Sequence, residues 1–176
     1  MPKQDKEHYL INSLSSKHIG DDAAVIGDTL YSMDAFFEDV HFKREWMSIA
    51  QIGRKAMLIN LSDAIAMNAQ PQFALVTVSI PKDMTESEID ELTLSMENTA
   101  KEYNCEIIGG DTVSNIKIDI TVTVLAKSKR VLRRVGLKSG DLLAHTGRLG
   151  SSKKALTSLL RYNSARRSSR FFKPEL

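Results

Sequence analysis

The 176-residue sequence is poor in cysteine, proline, glycine and aromatics: one cysteine (Cys105), one tryptophan, four prolines and nine glycines. A single cysteine excludes an intramolecular disulfide framework and any zinc site built from clustered thiolates. With four histidines and no Cys-x-x-Cys, nothing points to a transition-metal centre. No run approaches the length of about 18 apolar residues needed to span a bilayer. Met1–Leu10 (MPKQDKEHYL) has no apolar core of a signal peptide. The expectation is a soluble cytoplasmic protein without a membrane partner. The sequence also lacks a G-x-x-x-x-G-K-[ST] phosphate loop and the His-Arg-Asp set of protein kinases. Gly147-Arg148-Leu149-Gly150 does not have dinucleotide-fingerprint spacing. There is no candidate Ser-His or Cys-His nucleophile pair, and Cys105 reads as structural. Any nucleotide binding must therefore use another scaffold.

What is present is a globular balance, 42% hydrophobic and 26% charged residues, in a length that suits one large domain or one domain plus part of another. The net charge of +2 hides an uneven split. Through Gly147 there are 16 Lys/Arg against 21 Asp/Glu, a net of −5; from Arg148 onward, 8 basic residues face only Glu175, a net of +7. A basic tail suits nucleic acid or a membrane surface, a solvated helix face, or the start of a further domain. Its only aromatics are Tyr162, Phe171 and Phe172, too few to interleave with the charges as in a nucleic-acid arm.

Periodicity predicts a short helix at Lys6–Leu14, then a hairpin of Ala23–Ile26 and Leu30–Phe37 across Gly27-Asp28. A long helix over Ser48–Ala69 opens on a capping box, Ser48 with Gln51. Phe73–Ile80 alternates as a strand. Thr85 and Glu88 form a second capping box, opening a helix through Tyr103. Cys105–Ile108 reads as a strand closed by Gly109-Gly110, and Ile116–Ala126 as the longest strand. Leu142–Thr146 reads as a strand start and Ser151–Tyr162 as a helix. The interleaved order predicts an α+β fold, a mixed or antiparallel sheet with helices packed on one face.

Aspartates recur at the predicted element ends: Asp21-Asp22 in HIGDDAAVI, Asp34 in YSMDAFF, Asp63 in NLSDAIAM and Asp111 in IIGGDTVS. Singly, each reads as a cap or turn residue. Together, in apolar surroundings and without His or Cys partners, they suit a hard cation, Mg²⁺ before zinc. Gly109-Gly110-Asp111-Thr112 follows a strand, where bare backbone can approach a phosphate, although a tight turn explains the glycines equally.

Taken in order, HIGDDAAVI, YSMDAFFEDVHF, GRKAMLINLSDAIAMNAQP, IIGGDTVS and RRVGLKSGDLLAHTG resemble the successive motifs of bacterial thiamine-monophosphate kinases, over roughly Ile19 to Gly147. That family belongs to the superfamily of aminoimidazole ribonucleotide synthetase and selenophosphate synthetase. The resemblance implies a PurM-like N-terminal domain whose sheets pair into a barrel-like homodimer core, with nucleotide and Mg²⁺ along the aspartate-rich edge. It assigns Asp22, Asp34, Asp63 and Asp111 as Mg²⁺ ligands, with Ser32 and the Met33 backbone beside them. It places Gly109, Gly110, Thr112 and Arg134 against ATP, and His41 against thiamine monophosphate. For His41, packing between Val40 and Phe42 is the plain alternative. The implied reaction joins the γ-phosphoryl group of ATP to the phosphate of thiamine monophosphate, giving thiamine diphosphate.

The sequence departs from the family pattern at Met33, where threonine is usual, at Val113-Ser114 for Thr-Arg, and at Gly150-Ser151-Ser152, where an aspartate is usual. The Asp-Leu-Ser-Asp-Gly-Leu motif of the family's second domain does not occur. The expected division is a nucleotide-binding and dimerisation domain over 1–137 and the start of a second α/β domain over 138–176, making the chain the N-terminal portion of a longer enzyme. A non-catalytic nucleotide- and Mg²⁺-binding module, or a sister activity such as selenophosphate or aminoimidazole ribonucleotide synthesis, remains open on the sequence.

Overall fold

In the computed structural model, which describes residues 5–145 and 147–176, the chain forms α1 (Lys6–Ser13), β1 (Ala24–Ile26), β2 (Thr29–Phe37), α2 (Ile49–Ala66), β3 (Gln70–Pro81), α3 (Glu86–Glu102), β4 (Glu106–Asn115), β5 (Asp119–Lys127) and α4 (Ser151–Tyr162). Both predicted capping boxes form. The Ser48 hydroxyl accepts from Gln51 N and the Gln51 side chain accepts from Ser48 N; Thr85 and Glu88 repeat the pattern. Each cap satisfies backbone donors that a helix start leaves without intrahelical partners. Both helices stop where an asparagine, Asn68 or Asn104, takes a left-handed conformation.

The five strands make one mixed sheet in the order β1-β2-β5-β3-β4. β2 and β3 flank β5 antiparallel, and α3 carries the chain over to lay β4 parallel to β3. Alternate residues of β5 (Ile120, Val122, Val124, Ala126) are buried, as are Leu30 and Phe36 of β2 and Ala74 and Val76 of β3. They face α2, which packs on β2, β5 and β3, while α3 packs on α2 and β4. Gly53 permits the close approach of the two helices: a Cβ there would stand 2.9 Å from Leu92 O. The expected α+β sheet with helices on one face is the observed fold.

Several boundaries differ from expectation: α2 stops at Ala66 rather than Ala69, and β5 begins at Asp119 rather than Ile116. β4 does not close at Gly109-Gly110 but runs through them to Asn115, beside β3, with a bulge opposite Ala74/Leu75. A Cβ on Gly110 would fall 1.7 Å from Val76 O, so the glycine is required by strand packing rather than by a turn. β3, at 12 residues, outruns β5, at 9, as the longest strand because pairing with both neighbours carries it through Pro71 and to Pro81. Leu142–His145 form no strand, and Thr146, the last residue of that predicted strand, lies outside the described residues.

The basic C-terminal segment is docked. Ala155 and Leu159 of α4, with Phe171 and Phe172, join the core. Trp46 holds the segment at two points: its indole N–H donates to Asn163 Oδ1 at 3.1 Å, and its carbonyl accepts from Arg167. Among the described residues, no helix is long and apolar enough to cross a membrane.

Candidate functional site

β1 is three residues long and pairs only with Thr29–Tyr31, which leaves the outer edge of β2 without a strand from Ser32 onward. Asn60, fully buried on α2, takes that place. Its Oδ1 accepts the Asp34 N–H at 2.6 Å, and its Nδ2 donates to Ala56 O at 2.9 Å. The clamp fixes Asp34 over the face of α2 that carries Asp63, one helical turn beyond Asn60.

Asp22 and Asp34 lie close enough to Asp63 to act on its carboxylate, and Asp22 close enough to act on Asp34. Burial pushes Asp63 up to about 6, with the negative charges of Asp34 and Asp22 adding to the rise and Arg134 opposing it. Burial also raises Asp34; His41 opposes this and Asp22 adds to it. Desolvation and like charge both disfavour a carboxylate, and a bound cation relieves both. The Arg134 guanidinium pairs with Asp22. Asp21 plays a different part. It accepts the Arg134 N–H at 2.8 Å and bonds the Arg133 guanidinium at 2.8 Å, holding the segment after β5 against the β1 end of the sheet. Those bonds, led by the backbone one, keep the Asp21 carboxyl below the usual range.

Ser32 is 5% exposed, and its buried hydroxyl has no hydrogen-bond partner among the described residues. An orphaned oxygen two residues from Asp34 fits a missing ligand. Among the described residues no three acidic, His or Cys side chains close into a metal cage. Mg²⁺ takes one or two carboxylates and keeps waters, so an open arrangement of Asp22, Asp34, Asp63 and Ser32 suits it better than it suits zinc.

Gly109, Gly110, Asp111 and Thr112 are not in this group. They lie on β4, the edge strand at the far side of the sheet from β1 and β2. Three strand spacings, about 14 Å, separate β2 from β4. By register Asp111 pairs with Thr77 and Leu75 with Thr123, which in turn faces Met33. Asp111 and Met33 therefore share the helix-free face, whereas Asp34 and Asp63 belong to the helix side. The sequence motifs assigned to one site thus form two groups in a single chain.

His41 sits in the turn after β2. Its Nδ1 accepts the Phe37 N–H at 2.9 Å, so in the neutral ring the proton is on Nε2, which is free to donate. The ring flanks Phe36 and Phe37 and lines a cleft of about 640 Å³ with Phe36, Phe42, Trp46, Lys55 and Phe171. Cys105 is buried, and burial pushes its thiol up to about 11, consistent with a structural role. Sequence reasoning missed Asn60 and Lys55. A buried asparagine one turn from an aspartate on an apolar helix was the available signal for the first.

Residues 20–127 match the family described as AIR synthase related protein, N-terminal domain. The chain is 40% identical over 160 residues to the thiamine-monophosphate kinase of Bacillus subtilis (strain 168), covering 86% of this chain and 49% of that protein. It is 34% identical over 152 residues to that of Aquifex aeolicus (strain VF5), covering 84% and 49%. A crystal structure of the Aquifex aeolicus thiamine monophosphate kinase superposes with a TM-score of 0.79 at 31% identity, over 88% of this chain and 52% of that one. A structure of AaThiL complexed with AMPPCP and TMP superposes with a TM-score of 0.84 at 28% identity, over 96% and 58%. The chain spans about half the length of the curated relatives it matches. With the family matched over residues 20–127, across the whole five-stranded sheet and both of its packing helices, the chain belongs to the AIR synthase related proteins, as their N-terminal domain.

Proposed function

We propose that this chain is the nucleotide- and metal-binding part of a thiamine-monophosphate kinase, which transfers the γ-phosphoryl group of ATP to the phosphate of thiamine monophosphate. The observation that carries the proposal is that Asp22 and Asp34 act electrostatically on Asp63, and His41 on Asp34, on the side of the sheet that also holds the unpartnered Ser32 hydroxyl. The relatives named thiamine-monophosphate kinase supply the reaction.

Phosphoryl transfer between two phosphates needs positioning and charge neutralisation rather than a protein nucleophile. Mg²⁺, held by Asp22, Asp34, Asp63 and Ser32 with the Met33 backbone nearby, supplies that neutralisation when bound. Arg134 exchanges its ion pair with Asp22 for the phosphates of ATP. Asn60 keeps Asp34 in place. His41 donates from Nε2 to the accepting substrate, whose ring lies against the aromatic walls of the cleft.

The enzyme works as a homodimer in this reading. The helix-free sheet face exposes Tyr31, Met33, Phe73 and Leu75, which the register brings together around Leu125 and Thr123, with Phe37 and Val113 farther along the same face; exposed apolar side chains grouped in this way mark a protein interface. A second copy packed there forms the barrel-like core, and the metal role of Asp111 and the phosphate contacts of Gly109, Gly110 and Thr112 belong to the assembled dimer. Residues 138–176 begin a second domain, and the cytoplasm is the site of action. The test is a coupled assay of the longer protein with ATP, Mg²⁺ and thiamine monophosphate. Turnover with this acceptor is expected; activity only with selenide or a formylglycinamidine nucleotide would move the chain to a sister activity.

A further inference from the structure

Among the described residues, Lys55 is the cation that two clefts share. It lines the His41 cleft and, with Arg148 and Arg170, a second of about 400 Å³ beside the glycine-rich turn that precedes α4. Its Nζ lies 3.7 Å from the Phe171 ring centroid and 5.8 Å from that of Phe36. Its hydrogen bond runs to Phe171 O at 3.0 Å, which uses one of three ammonium protons. The acidic side chains of these clefts have partners other than Lys55. Asp39 pairs with Lys117 at 3.0 Å, and Glu175 pairs with Arg170. Lys43 and Lys153 add positive charge to the first cleft. A half-buried ammonium surrounded by rings and further cations lacks its counter-charge, and burial holds it down to about 8.

We infer that Lys55 is a phosphate-binding residue, which receives the phosphate group of a phosphorylated aromatic ligand whose ring occupies the cleft of Phe36, Phe42 and Trp46. The inference rests on the proposed kinase reading for the identity of that ligand, but the anion site itself stands on the charge and geometry of the two clefts. An entering phosphate supplies the missing anion and favours the charged form of the lysine. Phosphate could come from the acceptor or from the nucleotide, and binding experiments separate the two. Without an anion role, Lys55 merely ties the C-terminal segment to α2 through Phe171 O.

Calorimetry on this chain with inorganic phosphate, thiamine, thiamine monophosphate and ATP, in wild type, Lys55→Met and Lys55→Arg, tests the inference. Lys55→Met is expected to weaken thiamine monophosphate and inorganic phosphate by about tenfold or more while leaving thiamine unchanged, with Lys55→Arg retaining most of the affinity. A loss confined to ATP and inorganic phosphate assigns the site to the nucleotide. Equal phosphate affinity in wild type and Lys55→Met, equal weakening of thiamine and its phosphate, or no phosphate binding by wild type would overturn it. Should Lys55→Met not fold, reductive methylation of wild type gives the answer by mass spectrometry: phosphate should protect Lys55, and unprotected labelling refutes the inference. Phosphate bound through Lys55 without any affinity for thiamine monophosphate would refute the kinase reading and leave the anion site standing.

Discussion

Asn60 Oδ1 accepts the backbone N–H of Asp34 at 2.6 Å, so a helix side chain finishes the edge that β1 leaves unpaired. The bond joins β2 to α2 at Asp34, one helical turn from Asp63 on α2. Asn60→Ala leaves the partly buried Asp34 N–H without its partner and is expected to cost about 1 kcal/mol. Urea denaturation measures the loss, and Mg²⁺ titration of the variant should show weaker binding because Asp34 is no longer fixed. Unchanged stability would mean that water replaces the side chain.

Asp63→Asn should have opposite effects with and without metal. Removing a carboxylate that burial and two neighbouring acids destabilise is expected to raise the melting temperature in EDTA. After discounting for the solvent-exposed part of the group, about 1 kcal/mol is a fair magnitude, or about 2–4 °C. The stabilisation that wild type gains from added Mg²⁺ should vanish. A lower melting temperature in EDTA would contradict the repulsive cluster.

The raised Asp63 sets a pH dependence. Its folded value of about 6 exceeds the ordinary 3.8, so the folded state binds the proton more tightly than the unfolded state does. The stabilising contribution is full below about 4 and is lost as pH rises through about 6. Mg²⁺ competes with that proton, so its affinity should fall between pH 7.5 and pH 5.5. Calorimetry in buffers of different ionisation enthalpy should detect proton release near pH 6; a pH-independent Mg²⁺ affinity would exclude Asp63 as a ligand.

The open sheet face predicts the oligomeric state. Leu75→Lys places a charge on that apolar face, beside Thr123, without touching the helix-side core. Light scattering should show a dimer for wild type and a monomer for the variant, with circular dichroism unchanged. A monomeric wild type would contradict the dimer.

Trp46, the sole tryptophan, reports on docking of the C-terminal segment. Phe171→Ala removes a ring packed against Trp46 and Phe172 and is expected to cost about 3–5 kcal/mol if the segment unfolds with the domain. A red shift in Trp46 emission at low denaturant, before the main transition, would show that the segment releases separately.

Local signals carried much of the fold into the sequence. Ser48/Gln51 and Thr85/Glu88 announce helix starts because capping is decided within four residues, and the buried alternation of β5 marks its sheet face. The extent of β4 was not legible. Gly109-Gly110 reads as a turn, yet Gly110 is dictated by Val76, a contact made only after the α3 crossover. The acidic residues were legible as a set but not their division. Asp111 follows the same kind of motif as Asp34 and Asp63, but strand order sends it to the opposite edge and pleat to the opposite face. Lys55 carried no sequence pattern, since its surroundings come from α2 and the distant Phe171.

The central claim is that the carboxylates on the helix side of the sheet bind nucleotide through a divalent cation. ATP titration of this chain, with Mg²⁺ and with EDTA, in wild type and Asp63→Asn, tests it most directly. Wild type should bind with Mg²⁺ and lose binding in EDTA, and Asp63→Asn should fail to bind under both conditions. Equal ATP affinity with and without Mg²⁺, or an undiminished affinity in Asp63→Asn, would contradict it.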